Sequence, residues 1–209
     1  VFLRPLGLRL AILQAAAQLV KEGRDIHVEI EIPLAIDPLE VKMLREEIVA
    51  VGQAVQAENE VLLDYRIGTM LELPRACLLA DELAQYSDYF TFGTNDLTQT
   101  TLGFSRDDAE GKFMQPYLDK KILKDNPFAV LDRSGVGKLV ALAVQNARAV
   151  KPGISLGICG EHGGDPSSIE FCHQVGLTFV SCSPYRVPAA RIASAQSQIK
   201  APRSAEDTK

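Results

Sequence analysis

VLLDYRIGTMLELPRACLLADELAQYSDYFTFGTND (61–96) contains one full repeat of the pattern that organises this chain. Residues 61–72 are rich in aliphatic side chains and read as a strand. Pro74 stands where a helix begins, and RACLLADELAQY (75–86) continues at helical spacing. YFTFGTND (89–96) is a second short strand ending in turn residues. A strand, a helix and a strand in that order predict a right-handed crossover between parallel neighbours. Upstream, LRLAILQAAAQLVKE (8–22) sets Leu10, Leu13, Ala17 and Val20 on one helical face, with Gly23 as the stop. VEIEIPLAI (28–36) reads as a strand ended by Pro33, and Asp37-Pro38 opens the long helix LEVKMLREEIVAVGQAVQAE (39–58).

Downstream, residues 97–133 are expected to be mostly loop with short helical pieces. Ser134 is expected to cap the helix GVGKLVALAVQNARAV (135–150). SLGICGE (155–161) is the next strand, SIEFCHQVG (168–176) a helix, FVSCSP (179–184) the last strand, and 188–199 a closing helix. Residues 1–200 form one domain in this reading, and the polar segment 201–209 a disordered tail. Five alternations predict an α/β protein with a parallel sheet. The pattern alone allows a doubly wound sheet or a (β/α)8 TIM-type barrel. Acidic, Cys and Asn residues at the carboxyl ends of several strands favour the barrel, because those ends form its catalytic face. A whole barrel needs eight units and about 250 residues, so five units make a partial one.

Composition narrows the function classes. The chain has 209 residues, 46% hydrophobic and 23% charged, which excludes collagen-like and wholly disordered classes. No apolar run approaches the length of a membrane span. A net charge of −5, with aromatics at 6% and no Trp, gives neither the basic footprint nor the stacking platform of a nucleic-acid binder. Four cysteines are too few for a disulfide scaffold and fit no common zinc spacing, so a reducing, cytoplasmic setting is expected. The chain opens on Val1 without a signal peptide, and VFLRPLGLRL reads as a cut into a longer protein.

Chemistry-bearing residues gather at strand ends. Glu72 ends one strand and Asp96 follows the next, so parallel neighbours deliver two carboxylates to one rim, as a Mg²⁺ site requires. Both also suit helix caps, and the sequence leaves the two readings open. Gly93-Thr94-Asn95-Asp96 can form a backbone nest for an anion, or a plain tight turn. Cys159 lies in GICGEHGGDP, where flanking glycines admit a substrate to a thiol able to act as proton donor or nucleophile. Cys182 is second choice, while Cys77 and Cys172 read as core residues. SGVGKL (134–139) lacks the first Gly and the Ser/Thr of a phosphate loop and reads as a capped helix start.

IGTMLELPRA (67–76), FGTNDLTQTTLGFSRDD (92–108), GICGEHGGDPSS (157–168) and VSCSPYRVPAAR (180–191), with EIEIPL (29–34) more weakly, resemble the carboxy-terminal, phosphoenolpyruvate-binding domain of the PEP-utilising enzymes. The likeness covers about residues 8–199. The segment after Cys159 and SCSPYRVP resemble the pyruvate, phosphate dikinases rather than the phosphoenolpyruvate synthases. A synthase-like fragment and a non-catalytic dimerisation remnant are the alternatives. The resemblance implies a (β/α)8 barrel whose rim binds Mg²⁺ and phosphoenolpyruvate or pyruvate. It makes Glu72 and Asp96 the metal ligands, and Gly93, Thr94, Asn95 and Asp96 the turn on the phosphate and carboxylate. Cys159 becomes the acid/base at the methyl or methylene carbon. A phosphohistidine domain elsewhere in the enzyme, a homodimer, and an inactive isolated chain are also implied. The first three barrel strands and the family's arginines have no counterpart here, and Pro38 departs from the family's pattern.

Overall fold

The computed structural model describes residues 6–204. Helix α1 (Leu6–Lys21) leads into β1 (Val28–Ile32) and α2 (Pro38–Asn59). Strand β2 (Tyr65–Leu71) is followed by the short helices α3 (Pro74–Leu78) and α4 (Ala80–Ala84). Strand β3 (Tyr89–Gly93) runs straight into α5 (Thr94–Leu102), then α6 (Arg106–Lys112), α7 (Met114–Asp119) and α8 (Val136–Val150). Strand β4 (Ser155–Cys159) passes through a 3-10 turn (Glu161–Gly164) to α9 (Pro166–Gln174). Strand β5 (Phe179–Val180), a 3-10 turn (Pro184–Arg186) and α10 (Val187–Lys200) complete the order.

All four strand pairings are parallel, and the spatial order β1-β2-β3-β4-β5 is the chain order. A doubly wound sheet depends on a reversal of strand order, and none occurs among these strands. The architecture is α/β with a singly wound parallel sheet, consistent with a partial barrel. Strand alternation sorts the two faces. Ile30, Ile32, Ile67, Leu71, Phe90, Phe92, Leu156 and Ile158 are buried in one core with Val41, Ile48, Leu83 and Val140 of the helices. The alternate residues, among them Glu31, Gly68, Thr91, Gly157 and Cys159, share the opposite face.

Two expectations need correcting, at Ser134 and at the last strand. Residues 97–133 carry the expected short helical pieces: the end of α5, then α6 and α7, which with the following loop enclose a satellite core of Ala109, Met114 and Phe128, with Phe104 and Phe113 edge-to-face at 5.1 Å. Ser134 does not cap α8. Asp132 does the work, its Oδ1 accepting from the Ser134 N–H at 3.1 Å and its Oδ2 from the Val136 N–H at 3.3 Å. The last strand ends early, at Val180, although the Ser181 N–H still donates to the Ile158 carbonyl at 2.8 Å. Of the segment expected to be a disordered tail, Arg203 donates to the Leu177 carbonyl at 2.8 Å and the His173 carbonyl at 3.2 Å. Residues 205–209 lie outside the described residues.

At the amino ends of the strands, Asp88 ties α2, β2 and β3 together. Its carboxylate accepts from Arg45 at 3.0 and 3.1 Å and from the Ile67 N–H at 2.8 Å, with Lys151 at 3.9 Å. Burial would raise its pKa. The Arg45 and Ile67 hydrogen bonds and the Arg45 and Lys151 charges outweigh that and hold the carboxyl below its ordinary value. A depressed folded-state pKa contributes stability above the unfolded pKa, near 3.9, which is lost as pH falls through the folded value. Asp88→Asn should therefore lower stability at pH 7 by about 1–3 kcal/mol. It should also flatten the loss of stability below about pH 4. Urea denaturation of both chains at pH 7 and at about pH 3 checks this; equal acid sensitivity would refute it.

Candidate functional site

The carboxyl ends of β2, β3 and β4 form one rim. Gly93 and Cys159 are register partners, and so are Leu71 and Phe92, which puts Glu72, the α5 start and the thiol side by side. Glu72 is 4% exposed although it follows a strand at the surface of the sheet. Its Oε1 accepts the Leu34 N–H at 2.7 Å. Helix α3 has no side-chain cap, so the capping reading fails for Glu72. A Cβ on Gly93 would stand 2.8 Å from Glu72 Oε2 and from Met70 Sδ. Only a residue with no side chain lets the carboxylate lie across the end of β3.

Gly93-Thr94-Asn95-Asp96 is not a turn that leaves the fold but the start of α5, with Gly93 at the N-cap and Asp96 in the first turn. Asn95 and Asp96 are exposed, and an acid there suits the positive end of a helix. Thr94 is fully buried, so its side chain does not reach solvent. The Asn95 amide leans across to the 3-10 turn after β4, where its Oδ1 accepts the Glu161 N–H at 3.4 Å. Gly160 makes room for it. Its φ is +85, and a Cβ would fall 2.8 Å from Asn95 Oδ1.

Cys159 is half-buried, and its thiol donates to the Phe92 carbonyl at 3.6 Å. Burial, then the Glu31, Glu72 and Asp96 carboxylates, push its pKa up to about 11. The thiol is thus protonated at neutral pH, more firmly than an ordinary cysteine. Cys182 lies beyond β5 against Gly160, Glu161, Ser183 and Arg186, and Arg186 pairs with Glu161 at 3.2 Å. Cys77 and Cys172 are buried, with thiol pKa values pushed to about 12 by burial.

Two residues of this rim were not singled out from sequence. Glu31 sits on the Cys159 face of the sheet, its Oε1 buried without a hydrogen-bond partner. Burial raises its pKa first, a Thr91 hydrogen bond works against that, and the Glu72 and Glu29 charges add to it. The signal was present in VEIEI (28–32), where strand alternation sets Glu29 and Glu31 opposite the buried Ile30 and Ile32. His162, in the EHGG run after Cys159, is 0% exposed. Its Nδ1 lies 2.7 Å from Thr94 Oγ1 and its Nε2 2.9 Å from the Pro127 carbonyl.

A singly wound parallel α/β sheet thus gathers a buried glutamate, a helix start and a glycine-flanked thiol at the carboxyl ends of its strands, the side on which (β/α) folds carry their sites. Residues 7–199 match the family described as PEP-utilising enzyme, PEP-binding domain, and the chain belongs to that family. It is 53% identical over 190 residues to pyruvate, phosphate dikinase of Clostridium symbiosum, covering 90% of this chain and 22% of that protein. It is 48% identical over 194 residues to pyruvate, phosphate dikinase of Entamoeba histolytica, covering 92% of this chain and 22% of that protein. Against the chloroplastic pyruvate, phosphate dikinase of Flaveria trinervia, identity is 50% over 186 residues, covering 89% of this chain and 19% of that protein. The chain spans about a fifth of the length of these relatives. The resemblance read from the strand-end motifs holds.

Proposed function

We propose that this domain supplies the phosphoenolpyruvate/pyruvate site of a pyruvate, phosphate dikinase. That enzyme interconverts ATP, pyruvate and phosphate with AMP, phosphoenolpyruvate and diphosphate through a phosphohistidine on another domain. The observation that carries the reading is the shared rim: Glu72 laid over Gly93, Asp96 in the first turn of α5, and the Cys159 thiol on the register partner of Gly93. In this reading the five units belong to a TIM-type barrel, the complete enzyme is a homodimer, and the free thiols of all four cysteines suit a reducing cytoplasm.

Mg²⁺ fits the donors. Glu72 and Asp96 offer hard carboxylate oxygens, and among the described residues no group of three or more His, Cys, Asp and Glu forms an all-protein cage. A cation held by two carboxylates keeps its remaining positions for substrate oxygens and water, as Mg²⁺ prefers. When bound it would supply a Lewis acid beside the substrate oxygens. The chain's own groups do the rest. Backbone N–H groups at the start of α5 orient the anionic substrate. The protonated Cys159 thiol gives its proton to the methylene carbon of phosphoenolpyruvate as pyruvate forms, and the thiolate takes it back in reverse.

A dikinase carrying residues 7–199 in place of its own matching segment tests the reading. The chimera should form phosphoenolpyruvate from pyruvate and ATP, and Asp96→Asn should remove that activity. A folded chimera that phosphorylates its carrier histidine but never yields phosphoenolpyruvate would refute the proposal. The 209-residue chain alone should show no turnover in the same coupled assay.

A further inference from the structure

His162 has no part in the proton or metal chemistry, yet it is buried at the junction of four segments. Its 3-10 turn (Glu161–Gly164) follows β4, Thr94 opens α5, Pro127 belongs to the loop before α8, and Cys159 ends β4. The hydrogen bonds determine its tautomer. The Pro127 carbonyl can only accept, so Nε2 at 2.9 Å must carry a proton. Burial lowers the basicity of the ring, against smaller opposing effects of the Pro127 bond and of Asp165 and Glu161. A neutral ring protonated on Nε2 leaves Nδ1 as an acceptor. The Thr94 hydroxyl is its donor, at 2.7 Å.

That hydroxyl has one proton and two acceptors within reach, since the Cys159 carbonyl lies 3.1 Å away. Donation to Nδ1 takes the proton on the shorter path and leaves the Cys159 carbonyl as a secondary acceptor. We propose that His162 is a positioning residue which, fixed as the Nε2–H tautomer by Pro127, captures the Thr94 hydroxyl and so sets the spacing between the start of α5 and the thiol-bearing end of β4. The inference rests on the reading of Cys159 as the proton donor for its functional meaning, but its geometry stands apart from it. Thr94 then acts in two directions: its backbone lies at the anion-binding start of α5, while its side chain is committed to His162.

Two measurements on the 209-residue chain decide this. Long-range ¹H–¹⁵N spectra of the histidine rings should show His162 protonated on Nε2 alone; an Nδ1–H ring or a doubly protonated ring at neutral pH would overturn the proposal. The second is the rate at which iodoacetamide alkylates Cys159, resolved from Cys182 by peptide mass spectrometry. Thr94→Val should change that rate by about threefold or more, and Thr94→Ser should restore it. His162→Gln keeps an N–H for Pro127 but not the Nδ1 acceptor. It should reproduce the Thr94→Val rate, and the double variant should add nothing. Additive effects, or a Thr94→Val rate equal to the parent's, would overturn it. Should His162→Gln fail to fold, the ring spectrum of the parent and the Thr94 pair still decide. None of these readouts involves pyruvate, so failure of the Cys159 reading shows separately, as lost correlation between the thiol and methyl exchange in the chimera.

Discussion

Cys159→Ala, placed in a dikinase carrying residues 7–199 of this chain, is expected to lower exchange of the pyruvate methyl protons by about 10²–10⁴-fold, the usual worth of a positioned general acid or base. Phosphorylation of the carrier histidine by ATP should survive nearly unchanged, because that half-reaction occurs in another site. The physical case lies in the surroundings of the thiol. Without metal, burial and then three carboxylates raise its pKa to about 11, and burial, the largest cause, favours the neutral thiol with or without a cation on Glu72 and Asp96, so donating a proton is its easy direction. Abstraction needs the thiolate, and methyl exchange should therefore rise with pH across the neutral range. Cys182→Ala is the control, since Cys182 lies beyond β5 among Ser181, Ser183 and Arg186. If Cys182→Ala stops exchange and Cys159→Ala does not, the assignment is wrong.

Much of this rim can be read from the chain because parallel βαβ units bring successive strand ends to one side. Once residues 61–96 are a strand, a helix and a strand, Glu72 and Asp96 must be near neighbours, whatever the sheet's total size. Cys159 follows by the same rule from SLGICGE. Other features depend on distances that no local pattern encodes. The bounds of the three helices within residues 94–119 escape a periodicity reading because they are short, and the apolar residues of α6 and α7 pack on a satellite core while Leu97 of α5 joins the main one. The α8 cap passed to Asp132 because the chain turns two residues earlier than the Ser134 reading assumes, letting one carboxylate take two N–H groups. Thr94 belongs to a motif that suggests ligand contact, yet its hydroxyl is drawn inward by a histidine 68 residues later. The raised thiol pKa could not be foreseen either. It needs Glu31, from a strand three places away in the sheet, on the same face as Cys159.

Glu72 separates charge from scaffold, so its two variants should diverge. The carboxylate oxygen that accepts the Leu34 N–H holds a residue in the left-handed region, with φ 51, which a leucine adopts only under constraint. Glu72→Ala removes the charged partner of that partly buried N–H and should cost about 1–3 kcal/mol in stability, read by urea denaturation. Glu72→Gln keeps an amide oxygen for Leu34 and nearly the same volume above Gly93, so its stability should stay close to the parent's. Its chemistry should not. With one of two charged oxygen donors gone, the chimera should need at least about tenfold more Mg²⁺ for half-maximal methyl exchange, and raised metal should restore part of the rate. The same variant removes one of the three carboxylates that raise the Cys159 pKa. The thiol should then titrate below about 11, and iodoacetamide should alkylate Cys159 faster at pH 8 in the metal-free chain. An alkylation rate unchanged from the parent's would mean that Glu72 does not influence the thiol electrostatically. Full exchange by Glu72→Gln at the parent's Mg²⁺ requirement would remove Glu72 from the metal site, leaving it the structural role that its bond to Leu34 already supports.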